Sequence, residues 1–273
     1  MMLKQFMPQE QTKHILLPLL LWTGMATSLS LWFRPALSVT ALLFWGVPAA
    51  YLSLRVKRKN VLFAILFSAL ATFSVGLLIG YLSKANNVWF TQHFLFPFPL
   101  YGPVTVDDCI WLSLYIFAVL MAFEATVKHS ARSFGNRFYM GLVIVTAIAV
   151  VGHAVITLSP PWLSTIPYMY LGFDVLMLGV ALALLPRYYP RYRAGIVRAM
   201  LYLLPVAFLN EVISLSLGLW YFPSNADLLG RISVFGEGIP FEEAIFFLVT
   251  PLVILALYVD FFKDSGNDTP VRR

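Results

Sequence analysis

Residues 239–262 read IPFEEAIFFLVTPLVILALYVDFF, and this stretch decides the fold. Pro240 pre-sets φ for a helix start, where its missing N–H is not needed. Glu242 and Glu243 follow in the first turn, ahead of an apolar run. Crossing a hydrocarbon core takes about 20 apolar residues, and this stretch is long enough. The expectation is a membrane helix headed by two carboxylates.

The rest of the chain has the same character. Its 273 residues are 60% hydrophobic, 16% aromatic and 12% charged. A soluble domain carries about 25% charged residues, so half that charge cannot clothe a soluble particle of this size. Disorder is excluded by the apolar content, and a disulfide scaffold by the presence of one cysteine, Cys109. Eight segments are read as spans: 15–33, 37–54, 61–82, 107–127, 138–158, 168–186, 195–222 and 239–262. Pro18, Pro48, Pro205 and Pro251 lie inside them, tolerable where neighbouring helices satisfy the freed carbonyls.

Cations set the orientation. Lys4 and Lys13 precede the first span. Arg55, Lys57, Arg58 and Lys59 follow the second, and Lys128, Arg132 and Arg137 the fourth. Arg187, Arg191, Arg193 and Arg198 follow the sixth, and Lys263, Arg272 and Arg273 close the chain. Sixteen of the 19 Lys+Arg thus fall on one side, leaving Arg34, Lys84 and Arg231 on the other. The positive-inside rule then predicts both termini in the cytoplasm, in an integral protein of the cell (inner) membrane. The formal charge of +6 is a topology signal, and no nucleic-acid partner is expected. The basic aromatic loop Arg187–Arg193 reads as a contact for anionic membrane lipids.

The two halves read as one unit used twice. In the first, a helix predicted to end in Val88-Trp89-Phe90 leads through a connector to Asp107-Asp108. In the second, a helix predicted to end in Leu219-Trp220-Tyr221-Phe222 leads through another connector to Glu242-Glu243. Trp89 to Trp220 and Asp107 to Glu242 are nearly the same distance along the chain, and a short insertion in the second connector explains the difference. The fold expected is all-α, with two parallel four-helix repeats, 1–132 and 133–273, the second with a short polar tail. An even number of spans per unit relates them by an axis along the membrane normal.

Carboxylates in membrane segments are functional candidates by default. They are Asp107, Asp108, Glu124, Asp174, Glu211, Glu242 and Glu243, with His153 the one intramembrane histidine. Neighbours on a helix diverge by about 100°, so one member of each pair faces a common cavity. The other is free to cap the helix or to meet Arg231. Glu124 and Asp174 line the cavity or pair with polar groups on adjacent helices. The four histidines show no ligand spacing and no metal site is expected. Gly236-Glu237-Gly238 lacks the third glycine and the preceding strand of a dinucleotide fingerprint. The sequence calls for no cofactor and leaves a flavin requirement open.

The decade 238–247, GIPFEEAIFF, together with Asn210-Glu211 and Trp220 nine residues after Glu211, resembles the membrane-integral lycopene cyclases, the family of heterodimeric bacterial enzymes and of archaeal and fungal fused forms. Members carry two repeats, each with a Pro-x-Glu-Glu signature before an aromatic pair. The likeness is close at Pro240, Glu242, Glu243, Phe246 and Phe247, extends to Glu211 and Trp220, and is strongest over 205–250. The first half departs from it: Pro103 lies four residues before Asp107, two aspartates replace the glutamates, no Phe-Phe pair follows, and Gly80 stands where Glu211 would match.

The resemblance implies proton-initiated cyclisation of an acyclic carotenoid end without net redox change. It implies Glu242 or Glu243 as the acid, with Glu211, Asp107 or Asp108 as proton partner or cation stabiliser. Trp89, Trp220, Phe246, Phe247 and Asn210 would bind substrate. The acid must be neutral, and an apolar cavity disfavours the charged carboxyl, while a helix N-terminus favours it. Two close carboxyls share one proton more readily than both ionise. Aromatic faces, including Phe90, Tyr221 and Phe222, steady a transient cation, although aromatics also gather at membrane interfaces regardless of function. The partners expected are a lipid-soluble isoprenoid and membrane lipids, with oligomeric state left open. Two alternatives stand beside this reading: a cyclase of another isoprenoid or a longer carotenoid, and, in a different class, a transporter or carotenoid-binding protein.

Overall fold

A computed structural model describes residues 10–127, 132–134, 136–158, 161–223 and 226–264. Lys4, Lys128, Arg272 and Arg273 of the cation count lie outside the described residues, as do the side chains of Lys13, Arg132, Arg137, Arg187 and Lys263. The protein is mostly helical, with seven apolar segments long enough to cross a membrane and one shorter apolar helix, Leu37–Ser53. In chain order the helices are α1 (Glu10–Phe33), α2 (Leu37–Ser53), α3 (Arg58–Ala85), α4 (Val106–Thr126), α5 (Asn136–Leu158), α6 (Met169–Ser216) and α7 (Phe241–Phe261). α2 and α3 each contain one π-helical turn, at Leu42–Gly46 and Thr72–Gly76.

Burial sorts the helices into inner and outer. α4 is central: Tyr115 and Val119 to Phe123 are buried among α2, α3, α6 and α7. Large apolar side chains stand exposed along the outer helices, among them Leu21, Ile65, Val143, Val151, Leu176 and Leu182. Such a contiguous apolar exterior suits lipid rather than water. The protein is membrane-embedded.

α6 holds two of the seven segments, Met169–Pro186 and Tyr188–Ser216. A straight helix of its 48 residues would run about 70 Å. Yet Tyr170 reaches the head of α7 at Glu243, Tyr188 reaches its tail at Asp260, and Trp220 shares a buried cluster with Tyr170. The chain therefore runs down α7 and back, reversing where Pro186 and Pro190 withdraw two amide donors. The segment 187–193, expected as a loop, is helical.

Both helices expected to carry into aromatic runs stop short of them. α3 ends before Asn87 and α6 before Gly218, each in the left-handed region at φ 54° and 65°. The N–H of Val88 reaches the Ser83 carbonyl at 2.9 Å and that of Asn87 the Lys84 carbonyl at 3.2 Å. Leu219 reaches Ser214 at 2.8 Å and Gly218 reaches Leu215 at 2.9 Å in the same pattern. This is the Schellman closure, which satisfies the last helical carbonyls and turns the chain aside. The aromatics beyond it form β1 (Phe90–Thr91) and β5 (Trp220–Tyr221), which pair antiparallel with Phe90 opposite Tyr221. The connectors are hairpins. β2 (Pro99–Tyr101) pairs with β3 (Val104–Thr105) and leads into α4, while β6 (Arg231–Val234) pairs with β7 (Glu237–Pro240) and leads into α7. A further ladder, β4 (Arg132–Phe134) with β8 (Phe262–Asp264), joins the segments after α4 and α7.

Candidate functional site: four carboxyls and an aromatic stack

The β6–β7 hairpin turns at Phe235 and Gly236, both at positive φ, and delivers Pro240 as the N-cap of α7. Glu242 is fully buried. Its Oε1 accepts the Leu229 N–H at 2.6 Å, and its Oε2 has no partner among the described residues. Glu243 accepts a hydrogen bond from the Tyr170 hydroxyl in the first turn of α6. One turn further along α6, on the same face, Asp174 is 2% exposed with both oxygens unpartnered among the described residues. It lies within electrostatic reach of Glu243 and Glu242.

Glu211 supplies the fourth carboxyl. The Schellman turn folds Trp220 back so that its indole N–H donates to Glu211 Oε1 at 3.1 Å. Glu211 Oε2 is unpartnered among the described residues, and the group also lies within electrostatic reach of Glu243. Beside it, Asn210 is fully buried with both amide atoms unpartnered among the described residues. None of the four carboxyls is paired with a lysine or arginine among the described residues.

A ring stack from α4 and α7 closes over these acids. Trp111 and Tyr115 lie nearly parallel at 5.6 Å, and Tyr115 continues onto Phe246 at 6.2 Å. Trp220 meets Trp111 edge-on at 5.6 Å, Phe247 meets Tyr115 edge-on at 6.3 Å, and Phe246 also touches Tyr170 and Phe173. The Tyr115 hydroxyl is buried without a partner among the described residues, within electrostatic reach of Glu243.

Asp107 and Asp108, at the head of α4, are held differently. Asp107 accepts from the Ser38 N–H at 3.2 Å, the Ser38 hydroxyl, the Leu95 N–H at 3.2 Å and the Phe96 N–H at 2.7 Å. Asp108 completes a capping box with Thr105 and receives the Lys84 ammonium at 2.5 Å. Lys84 also donates to Thr91 and to the Pro103 carbonyl, and lies 5.1 Å above the Trp89 ring.

The structure thus gathers Glu211, Glu242, Glu243, Trp220, Phe246 and Phe247 at one place. Trp89 packs at the edge of the same aromatic cluster. Asp107 and Asp108 are set apart by their own partners. Arg231 meets no carboxylate among the described residues; it donates to the Phe222 and Pro223 carbonyls. Glu124 accepts from Asn60 at 2.7 Å in another region, and His153 lies against Tyr101. Among the described residues no three His, Cys, Asp or Glu side chains form a metal-binding group. The sequence pattern does not single out Tyr170, Trp111 or Tyr115 as site residues. The usable signal is spacing, since Tyr170 and Asp174, and Trp111 and Tyr115, are both four apart on helices. Comparisons of the chain with protein-family models, curated proteins and solved structures return no match.

Proposed function

We propose that this protein is a carotenoid cyclase that closes ionone-type rings on the acyclic ends of a lycopene-type substrate by proton-initiated chemistry. The observation that carries the reading is the set of four buried carboxyls, without a paired cation among the described residues, facing stacked rings. Burying one unpaired carboxylate is costly and burying four together prohibitive, so the four are not all ionised at once and protons are shared among them. A neutral carboxylic acid beside apolar π faces is what protonation of an isolated alkene requires. Glu243 is the donor in this reading, because it is the glutamate that meets Tyr170 and lies within electrostatic reach of Tyr115, Asp174 and Glu211. Its O–H bond breaks, the proton joins the terminal double bond, and a tertiary cation forms. The internal double bond attacks that cation and closes a six-membered ring. A neighbouring carboxylate then takes a proton from the ring carbon skeleton, and a new double bond forms. Atoms balance, and the substrate is isomerised.

In the same reading the chain makes eight crossings, with α2 as the shortest, in two parallel repeats, 1–132 and 133–273, and both termini in the cytoplasm of a cell (inner) membrane. Support comes from coincidences at a fixed offset along the chain. The closure of α3 at Asn87 and that of α6 at Gly218 are separated as Trp89 and Trp220 are, and Phe90 lies opposite Tyr221, its own counterpart. A two-fold axis makes an equivalent residue meet itself in this way. The acids occupy the second and third positions of α4 and of α7 alike.

Expression in cells that accumulate lycopene, followed by chromatography of the pigments against cyclic standards, tests the proposal. One- or two-ringed products are expected. Unchanged lycopene with the protein verified in the membrane overturns it.

A further inference from the structure

The proposed reaction leaves the site in the wrong state. After one ring, Glu243 has lost a proton and another carboxyl has gained one. In a buried site the reset has to come either from water or from within. Tyr170 lies between the two kinds of carboxyl: its hydroxyl donates to Glu243, and it stands one helical turn before Asp174 on the same face. It also lies within electrostatic reach of Asp174 and Glu211. Asp174 has no hydrogen bond to give up on either oxygen among the described residues, so its turn toward Tyr170 breaks nothing. A second side chain marks the cluster as a place built for a guest: the Tyr115 hydroxyl, from the other half of the chain, is fully buried, unpartnered among the described residues and within electrostatic reach of Glu243.

We infer that Asp174 is the base that ends the cyclisation and that Tyr170 returns its proton to Glu243, so that one hydrogen is recycled from each substrate end to the next. The inference rests on the cyclase reading. When the ring cation forms, a C–H bond breaks, its electron pair becomes the new double bond, and the proton goes to an Asp174 oxygen. With the product gone, the Tyr170 hydroxyl gives its proton to the Glu243 carboxylate while its oxygen takes the proton from Asp174. Tyr170 ends as it began, and no proton enters or leaves. Asp174 touches the reacting atoms, whereas Tyr170 is a positioning residue that acts through the two carboxyls.

Fully deuterated lycopene, supplied to membranes containing the protein in ordinary water, provides the test by mass spectrometry of the cyclic product. At a single turnover each ring loses one mass unit, because the first proton on Glu243 came from water. Over many turnovers the wild-type product is expected to keep its deuterium. Tyr170→Phe, which preserves the ring against Phe246, is expected to lose one mass unit per ring at every turnover number. Its multiple-turnover rate is expected to fall as well. Wild-type product that loses one mass unit per ring throughout overturns the relay, and this arm needs no variant to fold. Retention of deuterium by Tyr170→Phe overturns the role of Tyr170. No cyclic product from wild type overturns the cyclase reading, and the relay with it.

Discussion

The heads of α4 and α7 hold the same chemical groups and treat them in opposite ways. Asp107 and Glu242 are each second in their helix, Asp108 and Glu243 each third. At α4 strong partners are supplied: four donors to Asp107, and a threonine cap and an ammonium to one oxygen of Asp108, whose other oxygen has no partner among the described residues. At α7 the cap is Pro240, which has neither a hydroxyl to accept from the third residue nor an N–H to donate to it. A capping box cannot form, and Glu243 turns to Tyr170 instead. Lys84 has no counterpart either, since the position that stands to Trp220 as Lys84 stands to Trp89 is Leu215. One head is neutralised by an ammonium and closed by a capping box, and the other has neither.

The largest expected effects separate the two heads. Glu243→Gln should lower ring formation by about 100-fold or more, the scale of losing a positioned acid, with insertion and thermal stability unchanged. Asp108→Asn should do the reverse: it strands the buried Lys84 ammonium and costs about 3–5 kcal/mol of stability, read as a fall in the melting temperature of purified protein. If the aspartate variant folds normally and cyclises nothing, the division of labour between the heads is wrong.

Pro240→Thr converts one head toward the other. A threonine cap should recapture Glu243 in a capping box, raising stability by about 1 kcal/mol. Ring formation should fall by about tenfold, as expected when a reacting group moves out of place. An active Pro240→Thr protein would show that proline does not hold Glu243 free. Tyr115→Phe probes the open valence contributed by α4. Deleting a buried hydroxyl without a partner should leave stability unchanged or raise it by about 1 kcal/mol. Cyclisation should slow by less than about tenfold, one hydrogen bond's worth. A loss of stability with full activity would make this hydroxyl part of the fold and not of the site.

Much of this contrast is legible in the sequence and part of it is not. Apolar length marks the helices, and the acidic pairs with their tryptophans mark both heads at the right positions. Helix ends are overrun because Asn87 and Gly218 act through a left-handed backbone conformation, which hydropathy does not register. The reversal inside α6 falls at two prolines while the residues around them stay helical, so the expected loop at 187–193 vanishes. Tyr170 and Asp174 come to the head of α7 from the start of α6, and Trp111 and Tyr115 come to it from the other half of the chain. Asp174 is among the carboxylates that the sequence marks out, but packing is what brings it and the three aromatic residues to this head.

The smallest effect concerns the two closures that set Trp89 and Trp220 in place. Gly218 has φ 65°, and a Cβ added there would meet nothing nearer than His93 Nε2 at 3.8 Å. Space is therefore not the constraint, and the cost of Gly218→Ala is the backbone cost of a left-handed L-residue, about 1 kcal/mol. Asn87 already tolerates that conformation at φ 54°, as asparagine does by bonding locally. Gly218→Asn should therefore cost less than Gly218→Ala, and Asn87→Gly should be neutral within about half a kcal/mol. Thermal unfolding of the three variants measures this order. Equal losses for Gly218→Ala and Gly218→Asn would mean that side-chain crowding governs the turn, and the likeness between the closures would then be one of outline and not of energetics.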